Sequence, residues 1–519
     1  MAVKLIFLIA FFSVMIAVGF VCRKKADSVH GFVLGGRNVG PWLTAFAYGT
    51  SYFSAVIFIG YSGQFGWKYG ISATWIGIGN ALIGSLLAWV ILGRRTRLMT
   101  QHIDTKTMPE YFGKRFLSDK LKIAASVIVF IFLIPYTASL YNGLSRLFET
   151  AFGIDYMWCV IAMSILTGIY VIAGGYMATA VNDFIQGIIM IFGIFIVIAA
   201  VLKSNGGFSG AMSALSSVAA ETNPTLNGAF TSFFGPEPIA LLGVVLLTSL
   251  GTWGLPQMIG KFYAIKNESA ITKGTLISTF FAFVVAGGCY FMGGFGRLYA
   301  DSIEYSGNIP VYDSIIPTML AKMPDVIMAI VIMLVLSASM STLSSLVLTS
   351  SSTLALDMII PMRKKKTSEK WQMNLIRILI VFFILISAVI AIVQMKSKIT
   401  FIAQLMGISW GALAGSFLAP FLYSLYSKKI TKASVWVSFI SGVIIMTANM
   451  ICTFTGHTFI TPFFSSPINA GVLAMLAGLV LVPTVSLFTK KLPAEITEKM
   501  FSCYDKTITV HATTSLDEK

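Results

Sequence analysis

Residues 326–353 read VIMAIVIMLVLSASMSTLSSLVLTSSST, an apolar run followed by a stretch crowded with hydroxyl groups. Between Ser337 and Thr353, eleven of the seventeen residues are Ser or Thr. The apolar run predicts the start of a membrane-spanning helix, and a polar group left unsatisfied in hydrocarbon is strongly unfavourable. We therefore expect these hydroxyl groups to face protein, water or a bound ion.

The rest of the chain has the composition of a polytopic membrane protein. Hydrophobic residues make up 56% of its 519 residues, charged residues make up 11%, and the mean hydropathy is +0.83. Apolar segments close to the ~20 residues that span a bilayer as a helix recur thirteen times. They cover approximately residues 4–22, 41–62, 71–92, 122–146, 154–176, 183–202, 239–260, 276–296, 326–348, 375–394, 401–423, 433–453 and 470–488. No soluble catalytic domain fits between them.

The net charge of +16 indicates membrane topology, and nucleic acid is not expected as a partner. Basic residues concentrate in alternate predicted loops, with 29 of the 37 on one side. The positive-inside rule then places the amino terminus outside and the carboxyl terminus in the cytoplasm, as an odd number of spans requires. In the first span the charges follow the apolar run, so we expect a retained helix and no cleaved signal peptide.

Two predicted spans carry an interrupting motif near the middle of the membrane. The second span contains AYGTSYFSA at residues 47–55, and the seventh contains LGTWGLPQ at residues 250–257. We expect each motif to break its helix, although a packing notch or kink explains either motif alone equally well. A broken helix frees carbonyl oxygens at one half and N–H groups at the other. Five spans separate the two starts, which fits a five-plus-five inverted repeat.

Freed carbonyl groups and nearby hydroxyl groups would together suit a hard monovalent cation. The hydroxyl groups of Ser341 and Thr342 and carbonyl groups near Thr50, Phe53 and Ala338 supply only oxygen, which such ions prefer. This site would carry no formal protein charge, which suits a releasable ion such as sodium. For any single hydroxyl group, a bond to the carbonyl group four residues earlier is the simpler interpretation.

Other residues in the spans are weaker candidates for a functional site. Asp183 is either a carboxylate at a helix start or part of a cation release path. Tyr52, Tyr136 and Trp253 could line a cavity, although aromatic residues in spans more often serve packing. The four His residues fall in loops or in the tail and the five Cys residues have no paired spacing, so we expect no enzyme and no zinc site.

Four short motifs together resemble the solute:sodium symporter family. They are GGRN at 35–38, AGGYMA at 173–178, NDFIQ at 182–186 and MSTLS at 340–344, in the family's order and spacing over about residues 31–426. The resemblance implies the inverted-repeat fold first seen in a bacterial leucine transporter, with sodium-driven uptake by alternating access. We therefore expect an all-helical integral membrane protein with about thirteen transmembrane helices and a five-plus-five inverted repeat.

The resemblance also assigns roles to positions of this chain. The family's sodium site falls on the Thr50, Phe53 and Ala338 carbonyl groups and the Ser341 and Thr342 hydroxyl groups, which are the same five residues. Its aspartate linked to cation passage matches Asp183. The expected substrate-binding residues are Tyr52, Tyr136, Thr248, Thr252, Trp253 and Pro256.

The departures from the family concern the substrate. Where proline symporters of the family carry an aspartate this chain has Tyr52, and their tryptophan and tyrosine appear as Thr248 and Thr252. The stretches YFSA at 52–55 and GLP at 254–256 look more like the pantothenate symporters. No Lys or Arg is expected in the cavity, so helix-end amides and hydroxyl groups would hold a substrate carboxylate. Pantothenate, monocarboxylates and proline all stay open.

These observations predict a sodium-coupled secondary active symporter of the cell membrane that imports a small organic acid or amino acid. Its expected partners are Na⁺, a small carboxylate-bearing solute and the lipid bilayer, with no cofactor besides the coupling ion. The alternatives are a proton-coupled carrier of the same fold, or a channel. A proton-coupled carrier would want a carboxylate at mid-membrane, and the second, seventh and ninth spans have none.

The chain is expected to divide into four parts. Residues 1–30 form an extra N-terminal helix and a cytoplasmic loop, and residues 31–426 form the transport core with repeats at about 41–203 and 239–426. Residues 427–489 form two C-terminal helices. Residues 490–519 form a polar cytoplasmic tail, which is too short for a domain and is expected to be mobile.

Overall fold

The computed structural model describes residues 2–219, 228–307, 309–321, 323–363, 367–397 and 402–505, and this part of the chain is almost entirely helical. A small antiparallel hairpin pairs β1 (Tyr305–Ser306) with β2 (Ile309–Pro310). The first half of the chain contains α1 (Ala2–Val21), α2 (Val29–Leu34), α3 (Pro41–Tyr52), α4 (Ser62–Tyr69), α5 (Thr74–Gly79), α6 (Arg94–His102), α7 (Met108–Arg115), α8 (Asp119–Phe152), α9 (Tyr156–Ser204) and α10 (Gly207–Ser216). Wider π-helical turns at Val56–Tyr61, Asn80–Leu87 and Trp89–Gly93 connect α3 to α4 and α5 to α6.

The second half of the chain follows the same pattern of long helices joined by short segments. Its helices are α11 (Pro238–Leu250), α12 (Pro256–Tyr263), α13 (Glu268–Gly293), α14 (Tyr312–Ala321), α15 (Asp325–Thr353), α16 (Ile360–Met362), α17 (Glu369–Ser397), α18 (Ile402–Tyr426), α19 (Lys432–Thr455), α20 (Pro467–Phe488) and α21 (Ala494–Phe501). Helix α10 lies between the predicted spans 183–202 and 239–260, and α14 lies between those at 276–296 and 326–348.

Ten helices in the described part of the chain are long and apolar enough to cross a membrane, and one bent pair, Pro238–Gly254 with Pro256–Tyr263, makes an eleventh. Large apolar side chains such as Ile378, Leu385 and Val389 are exposed along α17, as lipid-facing positions require. The protein is therefore a multi-pass membrane protein.

Two of these ten helical segments are too long for one crossing. Val56–His102 has 47 residues and Tyr156–Ser204 has 49, and at 1.5 Å per residue a straight helix of that length would be roughly twice as long as the ~30 Å hydrocarbon core is thick. Each contains a glycine in a conformation that ends helical geometry, Gly70 at φ 62° and ψ −140° and Gly175 at φ 53° and ψ −145°. The total of thirteen crossings stays a prediction.

Both interrupting motifs break their helices, as the sequence predicted. Helix α3 stops at Tyr52, and Phe53 adopts an extended conformation with φ −88° and ψ 120°. In the seventh span α11 tightens into a 3₁₀ turn at Gly251–Gly254, and Leu255 then adopts φ −87° and ψ 118° before Pro256 begins α12. Proline suits this first position because it has no N–H to leave unsatisfied. The two breaks have nearly the same backbone geometry.

Close helix packing surrounds the first break. Helix α3 packs against α9, α13 and α15, and α15 packs in turn against α1, α8 and α9. Small residues also allow α4, which follows the break, to approach α13 closely. A Cβ atom placed on Gly66 in α4 would lie 2.0 Å from the carbonyl oxygen of Gly293 in α13. The first break is thereby held against the hydroxyl-rich half of α15.

The segment after the last span contradicts the prediction of a mobile tail for residues 494–504. Helix α21 and the turn Ser502–Tyr504 dock on the loop side of α6 and α7. The Arg95 guanidinium lies between the rings of Tyr426 and Tyr504, at 4.0 and 4.6 Å from their centroids, and the Tyr504 hydroxyl donates to the Arg95 carbonyl at 3.2 Å. Contacts of aromatic rings with arginine side chains attach this polar segment. A hydropathy profile gives little sign of such contacts. The tail beyond residue 505 lies outside the described residues.

Candidate functional site

Five oxygen atoms from the predicted cation site converge where α3 ends beside α15. The Ser341 hydroxyl lies 3.2 Å from the Thr50 carbonyl oxygen and 3.1 Å from that of Ala338. The Thr342 hydroxyl lies 3.2 Å from the carbonyl oxygens of Thr50 and Phe53 and 3.1 Å from that of Ala338. All five residues are buried. The structure thus brings together every residue predicted for this site.

The helix break explains why these carbonyl groups are available. Because α3 stops at Tyr52, the last turn of the helix has no following turn to donate N–H groups to its carbonyl oxygens. The Thr50 and Phe53 carbonyl oxygens therefore depend on the hydroxyl groups of α15 for partners. A continuous helix at this point would satisfy the Thr50 carbonyl itself and would remove the site.

The spacing of the oxygens is compatible with a bound cation. The Ser341 hydroxyl also donates to the Ser337 carbonyl oxygen at 2.9 Å, an ordinary hydrogen bond within α15, while the two hydroxyl groups face the Thr50, Phe53 and Ala338 carbonyl oxygens at 3.1–3.2 Å. Oxygens that hold a Ca²⁺ ion, which is close to Na⁺ in size, at ~2.3–2.6 Å lie roughly 3.3–3.7 Å apart when they subtend a right angle. The donor set is oxygen only and carries no formal charge, so it fits a monovalent ion that must be released.

Neighbouring hydroxyl groups follow the simpler interpretation. Ser339 donates to the Val335 carbonyl oxygen at 2.7 Å, and Ser344 donates to that of Ser341 at 2.9 Å. These bonds stay within α15, and in the described part of the chain no contact of these hydroxyl groups with α3 accompanies them. Ser341 and Thr342 differ because they also reach across to α3.

Two of the predicted substrate residues meet around a tryptophan that the sequence analysis missed. The Trp410 ring in α18 lies 5.8 Å from the Tyr52 ring and 5.9 Å from the Tyr136 ring. The hydroxyl groups of Tyr52, Tyr136 and Ser54 and the indole N–H of Trp410 are all buried and make no hydrogen bond of ordinary geometry in the described structure, although Tyr136 faces Ser54 and Trp410, and Tyr52 faces Thr248. We call Tyr52, Ser54, Tyr136 and Trp410 the aromatic cluster. Such a group of unsatisfied polar atoms is what a small polar ligand would complete.

The other predicted substrate residues are placed differently. The Thr248 hydroxyl, near Tyr52, donates to the Val244 carbonyl oxygen at 2.8 Å. Thr252 donates to the Ser249 carbonyl oxygen at 2.8 Å, and the Trp253 indole donates to that of Ile83 at 3.0 Å. The polar atoms of Thr252 and Trp253 are thus already engaged in contacts that hold the break, and their substrate role stays a prediction.

Pro256 lines a cavity separate from the aromatic cluster. The cavity is also lined by Lys106, Tyr176, Gln257, Lys261 and Ser345. The predicted seventh span ends at residue 260, but α12 continues past Lys261 to Tyr263 and buries the Lys261 side chain. The short helix α12 after the break therefore places the positively charged Lys261 side chain in the protein interior. The expectation that the substrate cavity holds no Lys or Arg stays a prediction.

Asp183 is fully buried inside α9, eight residues after the break at Gly175. It is therefore not a carboxylate at a helix start, which leaves the release path as the prediction for this residue. Its Oδ2 atom lies 3.6 Å from the Lys261 Nζ atom. Neither carboxylate oxygen accepts a hydrogen bond within the described structure, so Lys261 is its charge partner.

Trp410 and Lys261 were missed for different reasons. Trp410 lies in an apolar span with no flanking motif, and a lone tryptophan there reads as packing. Lys261 could have been found by extending the helix from Pro256 by two turns, since a helix that starts at a proline rarely ends within five residues.

Known proteins support the architecture and extend over nearly the whole chain. The chain is 28% identical over 502 residues to the osmoregulated proline transporter OpuE of Bacillus subtilis (strain 168), covering 96% of each protein. It is 30% identical over 452 residues to the sodium/proline symporter of Staphylococcus aureus (strain JH9), covering 85% of this chain and 84% of that protein.

A solved structure has the same fold at low sequence identity. A Na⁺-coupled sialic acid symporter in a substrate-bound, outward-open state superposes with a TM-score of 0.75 at 17% identity, covering 94% of this chain and 98% of that one. The sodium:solute symporter family itself matches residues 32–442, which include both helix breaks, the cation site and the aromatic cluster. From its sequence and its fold, the chain belongs to the sodium:solute symporter family.

Proposed function

We propose that this protein is a secondary active symporter that couples inward movement of Na⁺ to uptake of a small carboxylate-bearing solute by alternating access. The observation that carries the proposal is the meeting of three carbonyl and two hydroxyl oxygens, all buried and uncharged, between the end of α3 and the middle of α15. An ion bound there joins a broken helix to a continuous one and favours the arrangement in which they touch.

Coupling follows from the position of the solute residues relative to the ion. Tyr52 lies between Thr50 and Phe53 in the chain, so an ion that orders those two carbonyl groups also orders the Tyr52 ring of the aromatic cluster. Sodium should therefore raise the affinity for solute, and solute should raise the affinity for sodium by the same factor. One Na⁺ moving inward also gains about 2.3 kcal/mol per 100 mV of membrane potential.

The aromatic cluster suits a small solute with both apolar and polar parts. Its rings offer flat apolar surface, while three hydroxyl groups and one indole N–H offer hydrogen bonds. The relatives named above are proline transporters. The aspartate that proline symporters of the family carry in the second span is, however, replaced by Tyr52 in this chain. We therefore propose a small organic acid or amino acid, with pantothenate, monocarboxylates and proline as the classes to test.

The proposed topology has thirteen crossings, with the amino terminus outside and the carboxyl terminus in the cytoplasm of the plasma membrane. Two five-helix repeats would cover about residues 41–203 and 239–426. The matching backbone geometry at Phe53 and Leu255, and the breaks at Gly70 and Gly175 inside overlong helices, support this division.

An uptake screen in proteoliposomes tests the proposal. Labelled pantothenate, proline and lactate are offered separately with and without an inward Na⁺ gradient at fixed membrane potential. We expect saturable accumulation of one class that requires the Na⁺ gradient. Uptake that persists without Na⁺ but is lost when a pH gradient is dissipated would indicate a proton-coupled carrier. Large unitary currents in electrical recordings would indicate a channel. Either result would contradict the proposal.

A further inference from the structure

The Lys261 side chain lies where four helices meet. It extends from α12, is 3% exposed, and places its Nζ atom 3.6 Å from Asp183 Oδ2 in α9 and 3.0 Å from Ser345 Oγ in α15. Ser345 Oγ in turn lies 2.7 Å from Ser51 Oγ in α3. The ammonium group also lies 5.2 Å from the centre of the Tyr176 ring. Through these contacts the Lys261 ammonium group connects both broken helices with α9 and α15.

This connection leads directly to the cation site. Ser51 follows Thr50, whose carbonyl oxygen faces both Ser341 and Thr342, and Ser345 lies one helical turn after Ser341. The Lys261 ammonium is therefore separated from the backbone of the cation site by two hydrogen bonds through serine hydroxyl groups. A shift of α3 or α15 on ion release changes the position of Ser51 or Ser345 and with it the contacts of Lys261.

Electrostatics makes the position of Lys261 sensitive to those contacts. Asp183 is fully buried and its oxygens accept no hydrogen bond in the described structure, so the nearby ammonium group compensates its charge. At 3.6 Å the pair is looser than a hydrogen-bonded ion pair, and Ser345 provides the shorter contact of the ammonium group. If the Ser345 contact weakens, the buried Lys261–Asp183 pair loses a hydrogen bond, and water must enter the cavity to solvate it.

The cavity offers a route for this water. Lys261 and Ser345 line it together with Leu34, Lys106 and Thr107, which belong to segments on the basic, predicted cytoplasmic side. Lys261 therefore belongs both to the lining of the cavity and to the hydrogen-bond path that leads to the cation site.

We propose that Lys261 is a positioning residue that closes the inner path in response to sodium, an inference that rests on the proposed function. With Na⁺ bound, Ser345, which is itself hydrogen-bonded to Ser51, holds the ammonium group, and Lys261 holds α12 against α9 and α15. When Na⁺ leaves, the serine contacts loosen, α12 separates, and the cavity becomes continuous with the cation site. Asp183 keeps the ammonium group charged and in place while the path is closed.

The test measures access to the cavity from its basic side. A single cysteine replaces Thr349, which lines the cavity, in a full-length chain whose five native cysteines are changed to alanine or serine. Its alkylation by a membrane-impermeant maleimide is timed with and without Na⁺, in inside-out vesicles. We expect Na⁺ to slow alkylation on the order of tenfold, within the range of coupling between linked sites.

Substitutions of Lys261 then separate its role from the fold. In Lys261→Met, alkylation should be fast and independent of Na⁺, whereas Lys261→Arg should keep the Na⁺ effect because it retains the charge. The double variant Asp183→Asn with Lys261→Met removes both buried charges, so it should fold even where the single variant does not, and should still alkylate fast. Lys266→Met, with an exposed side chain just after α12, is the matched control and should behave as the unaltered chain.

Two outcomes overturn different claims. Slow, Na⁺-sensitive alkylation in the double variant would contradict the role of Lys261 even if Na⁺-driven uptake by the unaltered chain is normal. Absence of Na⁺-driven uptake for every solute tested in the unaltered chain would contradict the proposed function. The comparison of alkylation rates between Lys261→Met and the unaltered chain in the presence of Na⁺ still reports on closure by Lys261 in that case.

Discussion

At the scale of single residues, hydroxyl side chains at different positions of α15 have different partners. Ser339 and Ser344 bond within their own helix, whereas Ser341 and Thr342 also face the carbonyl groups at the end of α3. The difference arises from the partner helix, because only a broken helix offers carbonyl oxygens without N–H donors. Substitution should therefore separate ion ligands from structural hydroxyl groups.

Ser341→Ala and Thr342→Ala should each weaken the affinity for sodium. Removal of one oxygen ligand should raise the half-saturating Na⁺ concentration about tenfold, equivalent to ~1.4 kcal/mol. Uptake measured against Na⁺ concentration in proteoliposomes checks this. Ser339→Ala is the control, since its hydroxyl bonds only to Val335, and it should leave the half-saturating concentration unchanged. Normal uptake with unchanged sodium dependence in both variants would show that the assigned ligands are wrong.

Two tryptophans near the breaks should differ in what they do. The Trp410 indole N–H faces Tyr136 but makes no hydrogen bond of ordinary geometry in the described structure, whereas that of Trp253 donates to the Ile83 carbonyl oxygen. Trp410→Phe should therefore raise the KM for solute about fivefold, as loss of one hydrogen bond of ~1 kcal/mol implies, with little change in thermal stability. Trp253→Phe should lower the thermal stability because it removes the hydrogen bond between Trp253 and the Ile83 carbonyl oxygen.

Initial uptake rates and unfolding temperatures in detergent measure both effects. If Trp410→Phe kept the KM of the unaltered chain for the transported solute, the aromatic cluster would not contact the solute through this nitrogen.

At the scale of elements, glycine pairs decide how closely helices approach around the breaks. A Cβ atom on Gly293 in α13 would lie 2.2 Å from the carbonyl oxygen of Ser62, whereas one on Gly287 of the same helix would meet nothing within 4 Å. The two positions share a helix and are both buried, so they form a matched pair. The backbone of Gly287 lies against Gly77 in α5, but only at Gly293 does the Cβ position itself point at a backbone contact.

Gly293→Ala should destabilise the protein by about 1–3 kcal/mol, because overpacking forces α13 away from the start of α4. Gly287→Ala should be neutral or stabilising, since alanine favours the helix by up to ~1 kcal/mol over glycine. Unfolding temperatures of the two variants in the same detergent check the difference. Equal unfolding temperatures would indicate that α4 and α13 approach less closely than described.

At the scale of the whole molecule, the segment after the last span joins elements far apart in the chain. Tyr504 and Tyr426 enclose Arg95, and the Phe501 ring lies 5.1 Å from the Arg115 guanidinium. The last described helix thus ties the end of the third predicted span to α7 and α18.

Combined substitution of Phe501 and Tyr504 by alanine should lower the unfolding temperature, because three cation–π contacts, with Arg95, Arg115 and Lys428, of about 0.5–2 kcal/mol each are lost. Limited proteolysis of the purified protein should then cut near residue 490 more rapidly. Glu498→Ala alters an exposed position of the same helix and is the control. Unchanged stability and unchanged proteolysis in the double variant would mean that this segment is not held by its aromatic side chains.

Much of the architecture was predictable because its signals are local. The apolar runs, the Gly and Pro residues at the breaks and the paired hydroxyl groups of Ser341 and Thr342 lie within single segments of the chain. The meeting of the five oxygens proposed to bind the cation was predictable for the same reason, since two short segments, 50–53 and 338–342, supply all of them. The number of crossings and the order of the two repeats are less local, and they stay predictions.

By itself the sequence determined where helices form, where they break and which oxygens the breaks release, since backbone chemistry within a few residues decides these features. Only the tertiary structure decided that Lys261 faces Asp183, that Trp410 joins Tyr52 to Tyr136, and that residues 494–504 dock. Each of these contacts joins helices separated by tens to hundreds of residues. Their partners are chosen by packing in three dimensions, which no local pattern records.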